Sequence, residues 1–363
     1  MTSQAGAARA MVFHRPGEAF TPTEFGQPVL LGREVKVDIV GCTLCGSDLH
    51  SWEGRRSTPC PTILGHEILG RLSAFGPEAA RVDAAGLPLN LGDRVTWSLV
   101  ASCGQCFYCQ RGLPQKCAVR VKYGHEALQS GGEFTGGLAE VCHLATGTAI
   151  FRVPDSLSDE VACPANCATA TAAASLRTAG DIRGRTVLVL GAGLLGLTAC
   201  AMSRWLGAAA VVCCETSPDR RARAIEFGAT HVVSPEQLSR SIGPLTNHHG
   251  VDVVLELTGA PAALENAWPV VRLGGVVVLV GAVFPSRPIS LAMDEVVRRN
   301  LTLVGVHNYV AADLGQALEF LAARHSEHPF REVVARWLPL AEADAAFEAA
   351  RSPEILRMGI RPA

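Results

Sequence analysis

The sequence predicts an α/β protein in which a mostly β segment precedes a doubly wound parallel sheet. Three observations carry that expectation. Between residues 185 and 307, short, fully apolar, β-branched runs alternate with helical stretches, the pattern of strands buried on both faces. Before them, VKVDIVG, GRLSAFG and RVTWSLV read as short strands separated by Gly, Pro and Asp turns. The chain of 363 residues, 48% hydrophobic and 18% charged, is long enough for two domains and a large core.

The opening MTSQAGAARAMVFHRP lacks both the apolar core of a signal peptide and the basic region before it. No run of 18 apolar residues occurs, so nothing is expected to span a membrane, and a cytoplasmic protein is expected. A net charge of −2 without a long basic run gives no support for nucleic-acid or membrane-surface binding. Two stretches of the β segment stand out, GCTLCGSDLH (41–50) and ILGHEILG, after which the next strand is expected to begin at Arg71. Each is weak alone, since a single Cys is usually a small buried hydrophobe and a single His usually a core or surface residue.

CGQCFYCQRGLPQKC places Cys103, Cys106, Cys109 and Cys117 within residues 103–117. Gly104, Gly112 and Pro114 break any helix or strand, so the segment is expected to be a loop. A tetrahedral zinc ion held by four thiolates would hold such a loop together. Thirteen cysteines in a cytosolic chain should stay reduced, which disfavours disulfides. Iron–sulfur sites use similar spacings, so spacing alone leaves that alternative open.

RTVLVL (185–190) is followed at once by GAGLLG (191–196), then by the helical LTACAMSRWLGA and the strand VVCCE ending at Glu215. A lone G-x-G-x-x-G is weak. This one closes a strand, opens a helix and precedes an acidic residue, which makes it the full dinucleotide-binding fingerprint. Gly191 makes the turn, Gly193 lets the backbone approach the pyrophosphate, and Gly196 allows helix and strand to pack closely. Leu194 and Leu195 open the helix whose N-terminus would receive the pyrophosphate. Glu215 should accept from the ribose 2′-hydroxyl and repel a 2′-phosphate, favouring NAD(H) over NADP(H), although Arg220 and Arg221 weaken that preference. SPDRRARAIEFGA carries a Ser217 cap and Pro218. VDVVLELTG (251–259), VVVLVGA (276–282) and LTLVGVH (301–307) are strands, with PAALENAWPVVRLGG a helix between the first two. The dinucleotide-binding domain is placed at 158–307, after a first domain at 1–157. In the last part, 308–363, DLGQALEFLAARH and EADAAFEAAR have helical periodicity.

Taken together, Cys-Gly-Ser-Asp-x-His, Gly-His-Glu, the four-cysteine loop, PANCATATAA (164–173) and the fingerprint resemble the zinc-dependent alcohol dehydrogenases of the medium-chain dehydrogenase/reductase superfamily. The likeness runs over most of the chain. It implies a GroES-like catalytic domain, completed by the C-terminal return, beside a Rossmann nucleotide domain. It implies a structural zinc on the loop 103–117 and a catalytic zinc held by Cys45, His66 and Cys167, with a fourth position open to water or substrate. Asp48 matches the carboxylate that orients the histidine ligand. Glu67 matches the acid behind the metal that can approach it during ligand exchange. Ser47 and His50 match a proton relay through the cofactor ribose, and Thr171 joins the cofactor-binding residues. Zinc lowers the pKa of an alcohol, and the nicotinamide takes its hydride, so an alcohol is interconverted with an aldehyde or ketone. A homodimer or homotetramer is implied.

Some features stand apart. Cys42 forms a C-x-x-C with Cys45 but reads as core, as do Cys60, Cys142, Cys163, Cys200, Cys213 and Cys214. His125 lies in a second Gly-His-Glu and is not expected to bind zinc. Arg55 and Arg56, with Lys122, Tyr123, His125 and Leu99, are expected near the substrate cleft. There the arginines would grip an anionic tail, as in a hydroxyalkyl phosphonate, or form a solvated surface pair. Several stretches also resemble a subgroup associated with phosphonate catabolism. The competing readings are a neutral alcohol or polyol as substrate, the zinc-free reductases of the same fold, which lack the four-cysteine loop, and a non-catalytic zinc- or nucleotide-binding scaffold.

Overall fold

The computed structural model describes residues 6–362. Residues 1–5 and 363, the outermost positions of the expected first and last segments, lie outside the described residues. The chain divides into two units. One takes in the chain as far as Cys167, then Val310–Ala322, and everything from Phe330 onward; the other takes in Ala168–Tyr309 and Ala323–Pro329.

The first unit is built on a seven-stranded sheet. Its main path runs Ile150–Arg152, Arg94–Trp97, Glu67–Phe75, Val35–Thr43, Arg357–Arg361, Val334–Pro339, and Val141–Leu144 also pairs with Val35–Thr43. VKVDIVGCT alternates buried and open positions from Val35 to Val40, the period of a half-covered strand, before Gly41, Cys42 and Thr43 are all buried. Its partner begins at Glu67, not at Arg71: Glu67 pairs with Thr43 and Ile68 with Cys42. Glu67, Ile68, Leu69 and Gly70 are all buried, so this stretch lacks the alternation that would mark a strand start from sequence. His66 therefore sits immediately before a strand, on rigid backbone. The last strand returns antiparallel to Val35–Thr43, with Gly359 opposite Thr43. Gly41 and Gly359 leave the space that the Trp337 ring occupies; a Cβ at either would lie within 2.7 Å of that ring. Phe13, Trp97, Phe134 and Phe347 fill the core.

The second unit holds a parallel six-stranded sheet in the order His231–Val233, Ala210–Cys214, Thr186–Leu190, Val251–Glu256, Val271–Leu279, Thr302–Gly305. This is the doubly wound order in which the first strand lies at the centre and the chain switches direction beside it. Val187, Leu188, Val189 and Leu190 are all buried, as a strand covered on both faces requires. Ser217 caps the helix Pro218–Glu226, accepting from the Arg220 N–H. The helix expected over 261–275 is shorter. It spans Pro261–Ala267, tightens into a 3-10 turn at Trp268–Val270, and gives way to the strand from Val271. Pro269 has no N–H to continue the helical ladder, and Val271 instead pairs beside Val251. Among the described residues no helix is long and apolar enough to cross a membrane.

Candidate metal centre and nucleotide pocket

Cys45 stands at the N-cap of the helix Gly46–Trp52, extended at φ −84° and ψ 157°. Asp48 folds back so that one carboxylate oxygen accepts the Cys45 N–H at 2.9 Å, while the other lies 3.0 Å from His66 Nδ1. Occupying Nδ1 in this way leaves Nε2 as the donor atom of the ring. Cys167 follows the turn Cys163–Asn166, and its sulfur lies 3.9 Å from that of Cys45. Ligand atoms of Cys45, His66, Glu67 and Cys167 all fall within 4.8 Å of one another.

The electrostatics of this group suit a dication. Burial opposes charge on His66, but Asp48 and Cys45 outweigh it and raise the imidazole to about 10. A hydrogen bond from Cys167, with the charges of Arg357 and His66, pulls the Cys45 thiol well down, whereas Cys167, beside that thiolate and buried, is pushed well up. Two sulfurs this close release both protons readily only to a cation. One nitrogen and two sulfurs of borderline softness are the donor chemistry of zinc.

Glu67 carries a feature that the sequence did not reveal. Its carboxylate is fully buried and gripped bidentately by Arg357 at 2.7 and 2.8 Å, and it accepts from the Thr43 hydroxyl at 2.6 Å. Arg357 also reaches to 3.7 Å from the Cys45 sulfur. Any approach of Glu67 to a metal therefore has to break this pair. Arg357 sits near the C-terminus with no motif around it, and only the returning strand brings it to Thr43 and Glu67. Ser47 Oγ lies 3.5 Å from His66 Nε2, at the metal centre. His50 is on the same helix one turn further; burial and the Arg55 charge lower its pKa.

The four-cysteine loop gathers its sulfurs as the spacing predicts. Cys106 lies 3.5 Å from Cys109 and 3.9 Å from Cys117, and Cys117 lies 3.5 Å from Cys103. Gly104 and Gly112 take positive φ of 72° and 74°, with nothing within 4 Å of where a Cβ would be, so backbone conformation alone explains them. N–H groups of Ala118 and Cys109 lower the Cys106 thiol to about 6, while burial and the neighbouring Cys106 raise Cys109 to about 12. Four sulfurs gathered this closely are the donor set of a tetrahedral zinc site.

In the second unit a cavity of about 760 Å³ is lined by Gly191, Gly193, Glu215, Arg220 and Thr258, among others. Gly191 has φ +97°, and a Cβ there would lie 2.8 Å from Thr258 Cγ2. A Cβ on Gly196 would lie 1.9 Å from the Gly191 carbonyl, which is the close packing expected of the third glycine. Gly193 has open space in front of it, at the N-terminus of the helix Leu194–Trp205. Glu215 accepts from the N–H groups of Ala192 and Ser217; burial raises its pKa, but these bonds outweigh it and keep the carboxyl low. Leu194, Leu195 and Thr171 do not line this cavity, and Leu194 is a core side chain.

The residues expected at the substrate cleft divide. Arg55 pairs with Glu53 and is exposed. Arg56 is half-buried, has no carboxylate partner among the described residues, and senses the charges of Asp48, Cys45 and Cys167. Lys122 is likewise unpaired, and burial together with Arg56 lowers it to about 8. Tyr123 is a correction. It is fully buried, with its hydroxyl 2.6 Å from Thr148 Oγ1 and accepting the Ala145 N–H at 2.9 Å, so it packs the core. Its polar partners are distant in sequence, which is why a pocket tyrosine and a core tyrosine look alike there. His125 is buried with its ring centroid 5.1 Å from that of His66, outside the group of ligand atoms but against it. Leu99 is buried, its carbonyl accepting from the Tyr123 N–H. Cys60, read as core, is exposed, because it precedes Pro61 on the open connection before Thr62–Ile63. The other six cysteines read as core are buried.

Comparison with known proteins gives two family matches: the alcohol dehydrogenase GroES-like domain over residues 32–155 and the zinc-binding dehydrogenase family over 195–323. An L-threonine 3-dehydrogenase of Pectobacterium atrosepticum is 30% identical over 308 residues, covering 82% of this chain and 79% of the relative. One from Pyrococcus horikoshii is 30% identical, covering 82% of each. Among solved structures, an alcohol dehydrogenase from Thermotoga maritima superposes with a TM-score of 0.91 at 28% identity, covering 98% of this chain and 100% of that one. The alcohol dehydrogenase of Thermus sp. ATN1 does so at 0.86 and 29%, with the same coverage.

Proposed function

The chain belongs to the zinc-binding medium-chain dehydrogenases and is a zinc-dependent, NAD(P)-linked enzyme, and from that premise we propose that it oxidises an alcohol bearing an anionic group, with NAD preferred over NADP. In this reading Cys45, His66 and Cys167 hold the catalytic zinc, and Cys103, Cys106, Cys109 and Cys117 the structural one. Zinc there would lower the pKa of the substrate hydroxyl, and the nicotinamide would accept the hydride. Ser47 takes the hydroxyl proton at the metal centre and passes it towards His50, which burial and Arg55 keep neutral and able to accept. Asp48 holds the His66 ring in the tautomer that presents Nε2. Glu215 accepts from the adenosine ribose 2′-hydroxyl at one wall of the nucleotide cavity.

One observation carries the substrate class: Arg56 and Lys122 are both partly withdrawn from solvent, both lack a carboxylate partner among the described residues, and both lie within electrostatic reach of Cys167. Unpaired cations held this way are unfavourable until an anion arrives. A short hydroxyalkyl phosphonate, or a phosphate or carboxylate of similar size, supplies that anion. The similarity to threonine dehydrogenases favours a second reading, L-threonine itself, whose carboxylate would fit but whose ammonium the two cations repel. Among the described residues Thr302–Gly305 ends the parallel sheet, and the helix before it exposes Met293 and Val297; both support a homodimer or homotetramer, which sedimentation velocity tests.

The deciding experiment follows NADH absorbance with 2-hydroxyethylphosphonate, L-threonine and ethanol as substrates. The phosphonate should give the highest kcat/KM, and Arg56→Ala should raise its KM while sparing ethanol. Better turnover of ethanol, or equal loss on both substrates, would overturn the anionic reading.

A further inference from the structure

The three residues read as catalytic-zinc ligands come from separate segments: Cys45 before a helix, His66 before a strand, Cys167 after a turn. Their mutual position is therefore not set by any one element. Asp48 joins the first two, accepting from the Cys45 backbone and facing the His66 ring. A second brace joins the last two. Asn166, only 1% exposed, donates from its amide nitrogen to the His66 carbonyl at 3.1 Å and to the Trp97 carbonyl at 3.2 Å. Carbonyl oxygens only accept, so the amide nitrogen has to face them, and the orientation of the group follows from chemistry. Cys167 is the next residue, and its own N–H donates to Pro164 at 3.2 Å to close the turn.

We propose that Asn166 is a positioning residue for the metal centre. It fastens the turn that carries Cys167 to the backbone of His66, so that Asp48 and Asn166 together span all three ligands. The inference rests on the reading of Cys45, His66 and Cys167 as the ligand set. A metal leaves a site when a ligand swings away, and a ligand whose backbone is tied to its neighbour swings less often. Groups that orient ligands in this way typically change metal affinity by about 10–100-fold when removed. A merely structural role makes a different forecast: a buried amide bonded to two carbonyls would stabilise the fold and leave the metal indifferent.

The test is zinc release from the purified enzyme to the chelator 4-(2-pyridylazo)resorcinol, with the zinc of the four-cysteine loop as internal reference. Asn166→Ala removes the donor, and Asn166→Asp turns a carboxylate oxygen towards two carbonyls. Both variants should release one of the two zinc ions at least about tenfold faster than wild type, the other at the wild-type rate. Cobalt loaded in place of the fast zinc should show altered thiolate-to-cobalt absorption. Unchanged release from Asn166→Ala overturns the proposal. So does the simultaneous loss of both ions with a lowered melting temperature, which marks a general structural role. Cys45→Ser separates the two layers: if it keeps two zinc ions with wild-type release, the ligand reading itself fails, whatever Asn166 does.

Discussion

Replacing Arg357 by Met should destabilise the protein by about 3–5 kcal/mol, the range for breaking one side of a buried ion pair. The reason is the state in which it leaves Glu67. That carboxylate has no solvent exposure, and it currently receives two guanidinium bonds at 2.7 and 2.8 Å and one from the Thr43 hydroxyl. Methionine fills much of the volume of the arginine stem, so the cost is one of charge and not of a cavity. Glu67 must then either remain ionised and unpaired or take up a proton. Arg357 also lies 3.7 Å from the Cys45 sulfur, so the thiolate loses a cation as well. For a chain of this size the shift in melting temperature should be about 4–7 °C. Calorimetry on the zinc-loaded protein, with zinc measured on the same sample, reads it. The double variant Glu67→Gln/Arg357→Met should recover a large part of the loss, because no buried charge is then stranded. An Arg357→Met protein within about 1 kcal/mol of wild type, or a double variant no better than the single one, would refute the reasoning.

Cys106→Ser should leave one zinc per chain and lower the melting temperature, because metal binding and folding of the loop are coupled; unchanged stability would remove the structural role. Glu215→Ala should narrow the preference for NAD over NADP by roughly tenfold to a hundredfold in kcat/KM, the worth of a hydrogen bond to a charged group; equal use of both cofactors by the wild type would defeat this assignment. Burial and Arg56 lower Lys122 to about 8, which disfavours its charged form, so it is cationic below that pH and neutral above. The kcat/KM for an anionic alcohol should therefore fall as pH rises through about 8, a step absent with ethanol and absent from Lys122→Met. A profile shared by both substrates would show that another group is titrating.

What was legible in the sequence was what is local. The strand, glycine turn and helix at 185–208 announce themselves because each is decided within a few residues, by burial on both faces and by φ +97° at Gly191. The four-cysteine site is legible for the same reason, since all its ligands lie between 103 and 117. Cys45, His66 and Cys167 carried no such signal. They are spread far apart in the chain, with Cys45 and Cys167 separated by 122 positions, and only a family resemblance joined them. The tertiary structure alone decided which neighbours complete that centre. It brought Arg357 from the last strand onto Glu67, turned the Asn166 amide to the His66 carbonyl, and set the His125 ring, tilted, beside that of His66. It also separated residues that look equivalent in sequence: Arg56 turned inward while Arg55 paired with Glu53, and Tyr123 went to the core while Lys122 stayed uncommitted. The physical reason is that a strand or a turn is selected by the free energy of its own few residues. The partner of a buried charge is selected by which distant segment the sheet register brings alongside, and nothing near Arg357 in the chain encodes that Glu67 will be its neighbour.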